Sequence, residues 1–420
     1  MGKITTALSA VAVLAMGAQA ASLEERVKAL ESQNEVITEE VLAVQSDGFT
    51  TIDTKQSYSG LGAAASKVYY SKNPLSIGGY GEMYYANPDN GDDYSNVYRF
   101  VTYFGYRFND SIILNAELEF ENGGATPQDP DNSGYVVMEF LYLDFLFNDA
   151  FNLRVGSLLV PIGHIGLRHE PTLFNTVQRP EVERYLIPTT WGENGALAYG
   201  RFDSLGLEYQ AGVINALNIN NDNTSTGGNK WIRSGRQGSG NKAAWDPAFV
   251  GRLDYTGING LKVGASVYYG GGSNLKDPAP TDPIQDVSGL RTTMFDLHAQ
   301  YDNGPFSFYG LYTQTTLDGA ENISPNAVKK GSGYYGNVSY DVGELVGLDY
   351  TIPLFAQYQN YNPVEQTVDG SNQDTYQTEL TTIGLNFFPM DQVVLKADYT
   401  MKTVNGVDSN IASLGFGFIF

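Results

Sequence analysis

Histidine, cysteine and charge are where chemistry would begin in this chain, and they are sparse. Three His and no Cys occur among 420 residues, which removes thiolate catalysis, disulfides and Cys-ligated metals. His164 and His169 stand five positions apart in a Pro- and Gly-bearing stretch. That is no recognised metal-ligand spacing, so no metal and no cofactor is expected. His298 alternates with Asp296 along one strand face, where a hydrogen-bonded wall histidine is expected. Gly331-Ser-Gly333-Tyr-Tyr-Gly336 has the glycine spacing of a dinucleotide loop, but a strand follows where a helix is needed. No G-x-S-x-G elbow is present, and nothing sets a base beside a nucleophile, so an enzyme is not expected. What remains is charge of both signs crowded into 161–195: Arg168, Arg179 and Arg184 against Glu170, Glu181, Glu183 and Glu193. Across an aqueous path such a mixture creates a transverse field that orients polar solutes. In a packed interior the same groups tie a loop to its surroundings.

The elements that would position these residues follow from composition and period. Gly accounts for 47 residues, and aromatics reach 13%, carried by 29 Tyr and 21 Phe against 3 Trp. Lys plus Arg number 25 and Asp plus Glu 47, a net charge of −22. That field repels a phosphate backbone and excludes nucleic acid as a partner. Charged residues make up 17%, below the usual value of about 25%.

Residues 1–20 read as a signal peptide, with Lys3, an apolar run from Ile4 to Met16 and the small-residue site Ala18-Gln19-Ala20. Over 21–45, Leu23, Val27, Leu30, Asn34, Ile37, Val41 and Val44 keep an unbroken a/d heptad spacing. That period predicts a short coiled coil, with Asn34 at an a position fixing register. Residues 46–73 are polar, carry no clear period, and read as a linker. No segment approaches 18 consecutive apolar residues, so an integral mature chain would have to cross a membrane as a closed barrel.

From 74 to 420 the period is two. Leu414, Phe416, Phe418 and Phe420 alternate with Ser413, Gly415 and Gly417, and Leu395, Ala397, Tyr399 and Met401 with Lys396, Asp398, Thr400 and Lys402. Links between such runs alternate in length. Long ones at 86–95, 122–134, 161–195, 216–247, 270–291, 317–331, 360–375 and 403–409 interleave with short ones such as 109–111, 148–150 and 302–304. One, 342–351, is longer than the scheme wants, and Glu139 and Asp144 fall on opposite parities of one run. The pattern predicts an all-β fold, a transmembrane antiparallel β-barrel of about 16 strands preceded by a short N-terminal coiled-coil helix. Lumen-wall candidates are Arg99, Arg107, Glu117, Glu119, Arg154, Glu208, Arg252, Asp254, Lys262, Asp296, Lys396 and Asp398. Tyr84, Tyr85, Tyr98, Tyr106, Tyr268, Tyr269 and Tyr361 suit aromatic girdles. Residues 228–247 hold a basic cluster, Lys230, Arg233, Arg236 and Lys242, expected in an outer loop facing lipopolysaccharide phosphates or anionic solutes.

The terminal Phe420, the opening LSIGGYGE at 75–82, RVGSLLVPIG at 154–163, His169-Glu170-Pro171, RPEVER at 179–184 and IPTTWGENG at 187–195 together carry a resemblance. In these residues the chain resembles Gram-negative porins, and among them the phosphate-selective porin O and P family in its broad sense. The resemblance implies a sixteen-stranded, usually trimeric barrel whose third long loop, here 161–195, folds into the lumen as a constriction. It implies passive diffusion of small hydrophilic solutes or ions through a water-filled pore in the cell outer membrane, with coiled coil and C-terminus in the periplasm. The partners it implies are outer-membrane lipid and lipopolysaccharide, further copies of the chain as a homotrimer through barrel and coiled coil, and small polar solutes or ions. Alternatives are an anion-specific, phosphate-type channel and a non-conducting barrel that serves as scaffold or envelope tether. The acidic excess argues for cations, and the mixed signs of the wall dilute the phosphate preference.

Overall fold

The computed structural model describes residues 27, 28, 30, 52–124, 134–219, 231–240, 247–271, 289–370 and 375–420. The chain divides between Thr51 and Ile52, and the second unit, Ile52–Phe420, is described by itself. Val27, Lys28 and Leu30 are helical. The signal peptide expected over 1–20 and the rest of the coiled coil expected over 21–45 lie outside the described residues.

Each run of period-two alternation forms a strand: β1 (Leu75–Pro88), β2 (Tyr94–Arg107), β3 (Ile112–Glu121), β4 (Tyr135–Asn148), β5 (Phe151–Leu159), β6 (Gly192–Phe202), β7 (Leu207–Asn215), β8 (Pro247–Ile258), β9 (Leu261–Gly271), β10 (Arg291–Asn303), β11 (Phe306–Asp318), β12 (Val328–Asp341), β13 (Pro353–Thr367), β14 (Thr378–Met390), β15 (Val393–Val404) and β16 (Val407–Ile419). Every strand pairs antiparallel with its chain neighbours, and β1 pairs with β16, so sixteen strands close into a barrel. Closure leaves no strand edge unpaired. The first strand begins and the last ends beside the short links; the long links gather at the other end.

The pleat sorts the side chains. Leu297, Leu395, Tyr399, Leu414 and Phe416 are exposed on the outer face, while Asp296, His298, Lys396 and Ser413 are buried inside. The anomaly of Glu139 and Asp144 is a β-bulge. Glu117 pairs with Phe140 but Leu118 with Met138, so Glu139 is the extra residue and both acids face inward. A second bulge, where Glu82 pairs with Arg99 and Met83 with Val97, turns Tyr98 inward beside Arg99. Tyr85, Tyr106 and Tyr269 are exposed on the outer face, as the girdle reading requires. It fails for Tyr268 and Tyr361, buried in the lumen, because adjacent strand residues cannot share a face.

Two further expectations are corrected. The link read as 403–409 is a two-residue turn, Asn405-Gly406, both with positive φ (49° and 75°), which is the geometry of a tight hairpin whose twist matches its strands. The stretch read as a linker, 46–73, carries over its described part a helix, α1 (Ala63–Tyr70), whose Ala63, Ala64, Ala65, Val68 and Tyr69 are buried. Small residues let α1 lie against the inner faces of β1, β2 and β3. The hydrophobic core therefore sits inside the barrel, built from α1, the wall and the link 160–191.

Candidate functional site

The link 160–191 enters the lumen because it is amphipathic in its own way. Val160, Ile162, Ile165, Leu167, Phe174, Val177, Val182, Leu186, Ile187 and Trp191 are buried, most of them in one cluster, while its polar groups reach the wall. A short helix, α2 (Glu181–Tyr185), sits near its far end.

Several sets of wall residues hold it, among them Tyr309, Asn337 and Asn386 around Asn175. Against β8 and β10, the Gly163 amide donates to Asp296 Oδ2 at 2.9 Å and its carbonyl accepts from Arg252 Nη1 at 2.5 Å. Arg252 Nε also meets Asp254 at 2.8 Å, and His298 lies between Asp254 (2.7 Å) and Asp296 (2.6 Å). Lys262 approaches Asp254 at 3.4 Å. Against β15, Lys396 Nζ donates to the carbonyls of Phe174 and Thr176, and Asp398 accepts the Val177 amide at 2.7 Å. Against β12, β13 and β15, Glu183 takes the Tyr335 hydroxyl and the Ile165 amide, while Glu181 takes Lys402 at 2.8 Å and the Tyr361 hydroxyl at 2.7 Å. Against β1 and β2, Arg99 joins Glu82 at 2.6 Å, the Tyr80 hydroxyl and the carbonyl of His169.

The helix α1 is fastened by the same loop. Its own N-cap, Gly62, offers no side chain; Glu170 Oε1 accepts the free amides of Ala64 and Ala65 at 2.9 and 3.2 Å. Arg107 Nη2 donates to the carbonyls of Val68 and Tyr69 at the other end, so each charge complements the helix dipole. Tyr69 also reaches Asp144, which is fully buried and accepts both Arg154 Nε and Nη2 at 2.9 Å and the Tyr199 hydroxyl at 2.9 Å.

A cavity of about 430 Å³ opens at the short-turn end, lined among others by Asp110, Asp149, Arg201, Glu208, Arg252 and Asp254. A second, of about 220 Å³, opens at the long-loop end and is lined by Arg179, Glu181, Arg184, Asp398 and Lys402. No residue lines both; the link 160–191 lines the second, and its Gly163 carbonyl meets Arg252, which lines the first.

The expected site residues are thus dispersed. Arg179 and Arg184 line the long-loop cavity, bonded to the Tyr98 hydroxyl and Gln178 Oε1. Arg168 meets Gln300 Oε1 at 3.0 Å. Glu193 belongs to β6, bonded to the Trp191 indole and the Gln237 amide. The basic cluster is corrected in part: Arg233 and Arg236 are packed against the loop and donate to the carbonyls of Arg184, Thr189 and Thr190, clamping the loop's end. Lys230 and Lys242 lie outside the described residues. Burial, and the nearby Arg236, Arg179 and Arg184 guanidiniums, bring Arg233 down to about 10. Burial pushes Glu183 up to about 7 against its hydrogen bonds from Tyr335 and Ile165. It holds the neutral His164 well below its ordinary value, with Arg168 adding to the effect.

Residues missed from the sequence are Glu82, Glu139 and Asp144 on the wall and Tyr69 on α1. The opposite parities of Glu139 and Asp144 were the one visible signal. Among the described residues, Glu117, Glu139 and His169 also bring ligand atoms within 4.8 Å of one another, a juxtaposition that the spacing of His164 and His169 gave no sign of. The GSGYYG run lies within β12, where Gly331 and Gly333 leave room for Trp231 and Leu186 to pack on the wall.

A closed sixteen-strand antiparallel barrel with an apolar exterior, an inner wall carrying many buried polar and charged residues, and an inserted third long link defines the class as an outer-membrane-type barrel. The solved structures it is similar to agree on the fold. Salmonella typhi OmpF in complex with daunomycin matches at 13% identity and a TM-score of 0.53, over 82% of this chain and 97% of that one. The outer membrane channel DcaP of Acinetobacter baumannii matches at 13% and 0.51, over 82% and 97%. A loop L8 deletion mutant of OmpT, an outer membrane protein of Vibrio cholerae, matches at 13% and 0.51, over 82% and 99%. No protein-family model matches the chain. The chain belongs to the same family as an uncharacterized protein of Aquifex aeolicus (strain VF5), 32% identical over 361 residues, which are 82% of this chain and 79% of the relative.

Proposed function

We propose that the protein is an outer-membrane porin through which small hydrophilic solutes diffuse passively, past a constriction made by the link 160–191. One observation carries this reading: a barrel whose inner wall carries many polar and charged residues, with a cavity at each end and a tethered loop that lines the smaller one. The strand topology suits short turns, chain termini and N-terminal coiled coil on the periplasmic side, and the heptads suit a homotrimer. Liposome swelling tests the transport reading. Proteoliposomes should swell in small sugars at rates that fall with solute size. No swelling from folded protein would favour the scaffold reading instead.

A second reading, preference for anions, rests on Arg179 and Arg184 in the smaller cavity with Arg233 close to both. Their mutual repulsion is the local charge state a permeating anion relieves. This reading keeps the phosphate-type alternative and sets aside the inference from net charge, because the acids responsible for that charge stand elsewhere.

A further inference from the structure

Between β3, β4 and the lumen loop lies a chamber with more buried negative charge than its cations answer. Glu82, Glu117, Glu119 and Glu139 all face into it and are buried. Arg99 is the guanidinium among them, and it is engaged by Glu82, the Tyr80 hydroxyl and the His169 carbonyl. Glu119 is 1% exposed and turned toward Glu139, and no donor from the rest of the chain reaches either of its oxygens. Arg99 Nε is 4.0 Å from it. One oxygen each of Glu117 and Glu139 is likewise without a partner. Bare carboxylates so placed are strongly disfavoured unless a proton or a cation joins them.

We infer that Glu117, Glu139 and His169, with Glu119 beside them, bind one divalent transition-metal cation of the zinc or manganese class. The bulge in β4 exists at the residue that completes the set, since it is what turns Glu139 inward. His169 Nδ1 lies 3.0 Å from the carbonyl of Gly166, which can only accept, so a hydrogen sits on Nδ1 and Nε2 is the ring atom that faces the two glutamates, where it holds either a proton or an ion. A backbone carbonyl holding the far ring nitrogen is the usual second support of a metal-bound histidine. Nε2 is 3.5 Å from Glu117 Oε1 and 3.4 Å from Glu139 Oε2. Charge-assisted hydrogen bonds contract to about 2.7–2.9 Å, whereas ligands around a tetrahedral ion with bonds of about 2.0–2.1 Å stand about 3.3–3.4 Å apart. One imidazole with carboxylates suits zinc or manganese; calcium would ask for six or more oxygens. Because the glutamates come from the wall and the histidine from the loop, the ion would fasten the loop across the lumen.

The test uses the full mature chain refolded in detergent with Zn²⁺, and separately with Mn²⁺, then freed of loose metal by gel filtration. Elemental analysis should find about one ion per folded chain. Glu139→Gln and His169→Ala should lower that content about tenfold or more, while Glu193→Gln, a carboxyl elsewhere in the lumen, should keep it. Faster migration of the unheated barrel on a gel verifies folding. Should the cluster variants not fold, the wild type refolded with Co²⁺ should show the visible bands of a four-coordinate N/O site. Folded wild type with under about a tenth of an ion per chain from either metal, or equal content in wild type and in the Glu139→Gln and His169→Ala variants, would overturn the site and leave a proton on His169 in the ion's place.

Discussion

At the short-turn end, Asp110, Asp149, Glu208 and Asp254 share a cavity of about 430 Å³ with Arg201 and Arg252. At the long-loop end, Arg179, Arg184 and Lys402 share about 220 Å³ with Glu181 and Asp398. The first is the larger and has more acids than cations, the second the smaller with more cations than acids, and the loop supplies the arginines of the smaller one. On the proposed porin reading, rings of charge act where a path is tightest, so the arginines of the smaller cavity are the groups that would set ion preference. The net charge of −22 therefore says little about the pore: several acids are walled in beside Arg99, and others serve as anchors for backbone amides.

The comparison is broken most severely from below. Asp144→Ala leaves Arg154 buried without its carboxylate and removes the acceptor of Tyr69 and Tyr199. Loss of one partner of such a pair costs about 3–5 kcal/mol, read as a lower urea midpoint in detergent. α1, which packs beneath the short-turn cavity, should then exchange its amides faster.

Next in size is a pH effect on the loop itself. Burial raises Glu183 to about 7 in the folded chain, so the folded chain keeps a proton that the unfolded chain releases from about pH 4.5. Stability therefore falls as pH rises from about 4.5 to about 7 and is level above, by about 3 kcal/mol in all. Glu183→Gln should flatten that slope, and an unchanged pH profile would show that Glu183 is not the group responsible.

Smaller still is Glu170→Gln, which removes the charge that Ala64 and Ala65 meet at the start of α1. Such contacts contribute about 0.3–1 kcal/mol, up to about 2 when buried, and differential protection of the α1 amides would register it. Smallest is Glu208→Gln in the larger cavity. Its effect on ion preference should be slight and should vanish at about 1 M salt, where the screening length is about 3 Å.

Much of the barrel is legible in the sequence, because period-two alternation and link lengths are local properties. Leu297 facing out and His298 facing in follow from parity alone. The bulges at Glu139 and Tyr98 were not readable, since one extra residue leaves only a parity break. The lumen helix was missed for a different reason. Ala63, Ala64 and Ala65 are small rather than strongly apolar, and the groups that cap and hold α1, Glu170 and Arg107, are distant in sequence. For the site, residue types and sign were visible in 161–195, but which charges would be spent on backbone and which would face water depends on contacts between strands far apart in the chain. Arg233 and Arg236 illustrate it: read as an outer patch, they clamp the loop's end instead.

The central proposal to test is that the smaller, arginine-lined cavity sets which ions pass. Reversal potential under a KCl gradient across a planar bilayer, for wild type beside Arg179→Glu/Arg184→Glu, tests it most directly. Wild type should conduct with an anion-signed potential, and the double variant should move it toward the cation side. A cation-signed wild type that the variant leaves unmoved would place control in the acidic cavity, and folded protein that conducts nothing would contradict the channel itself.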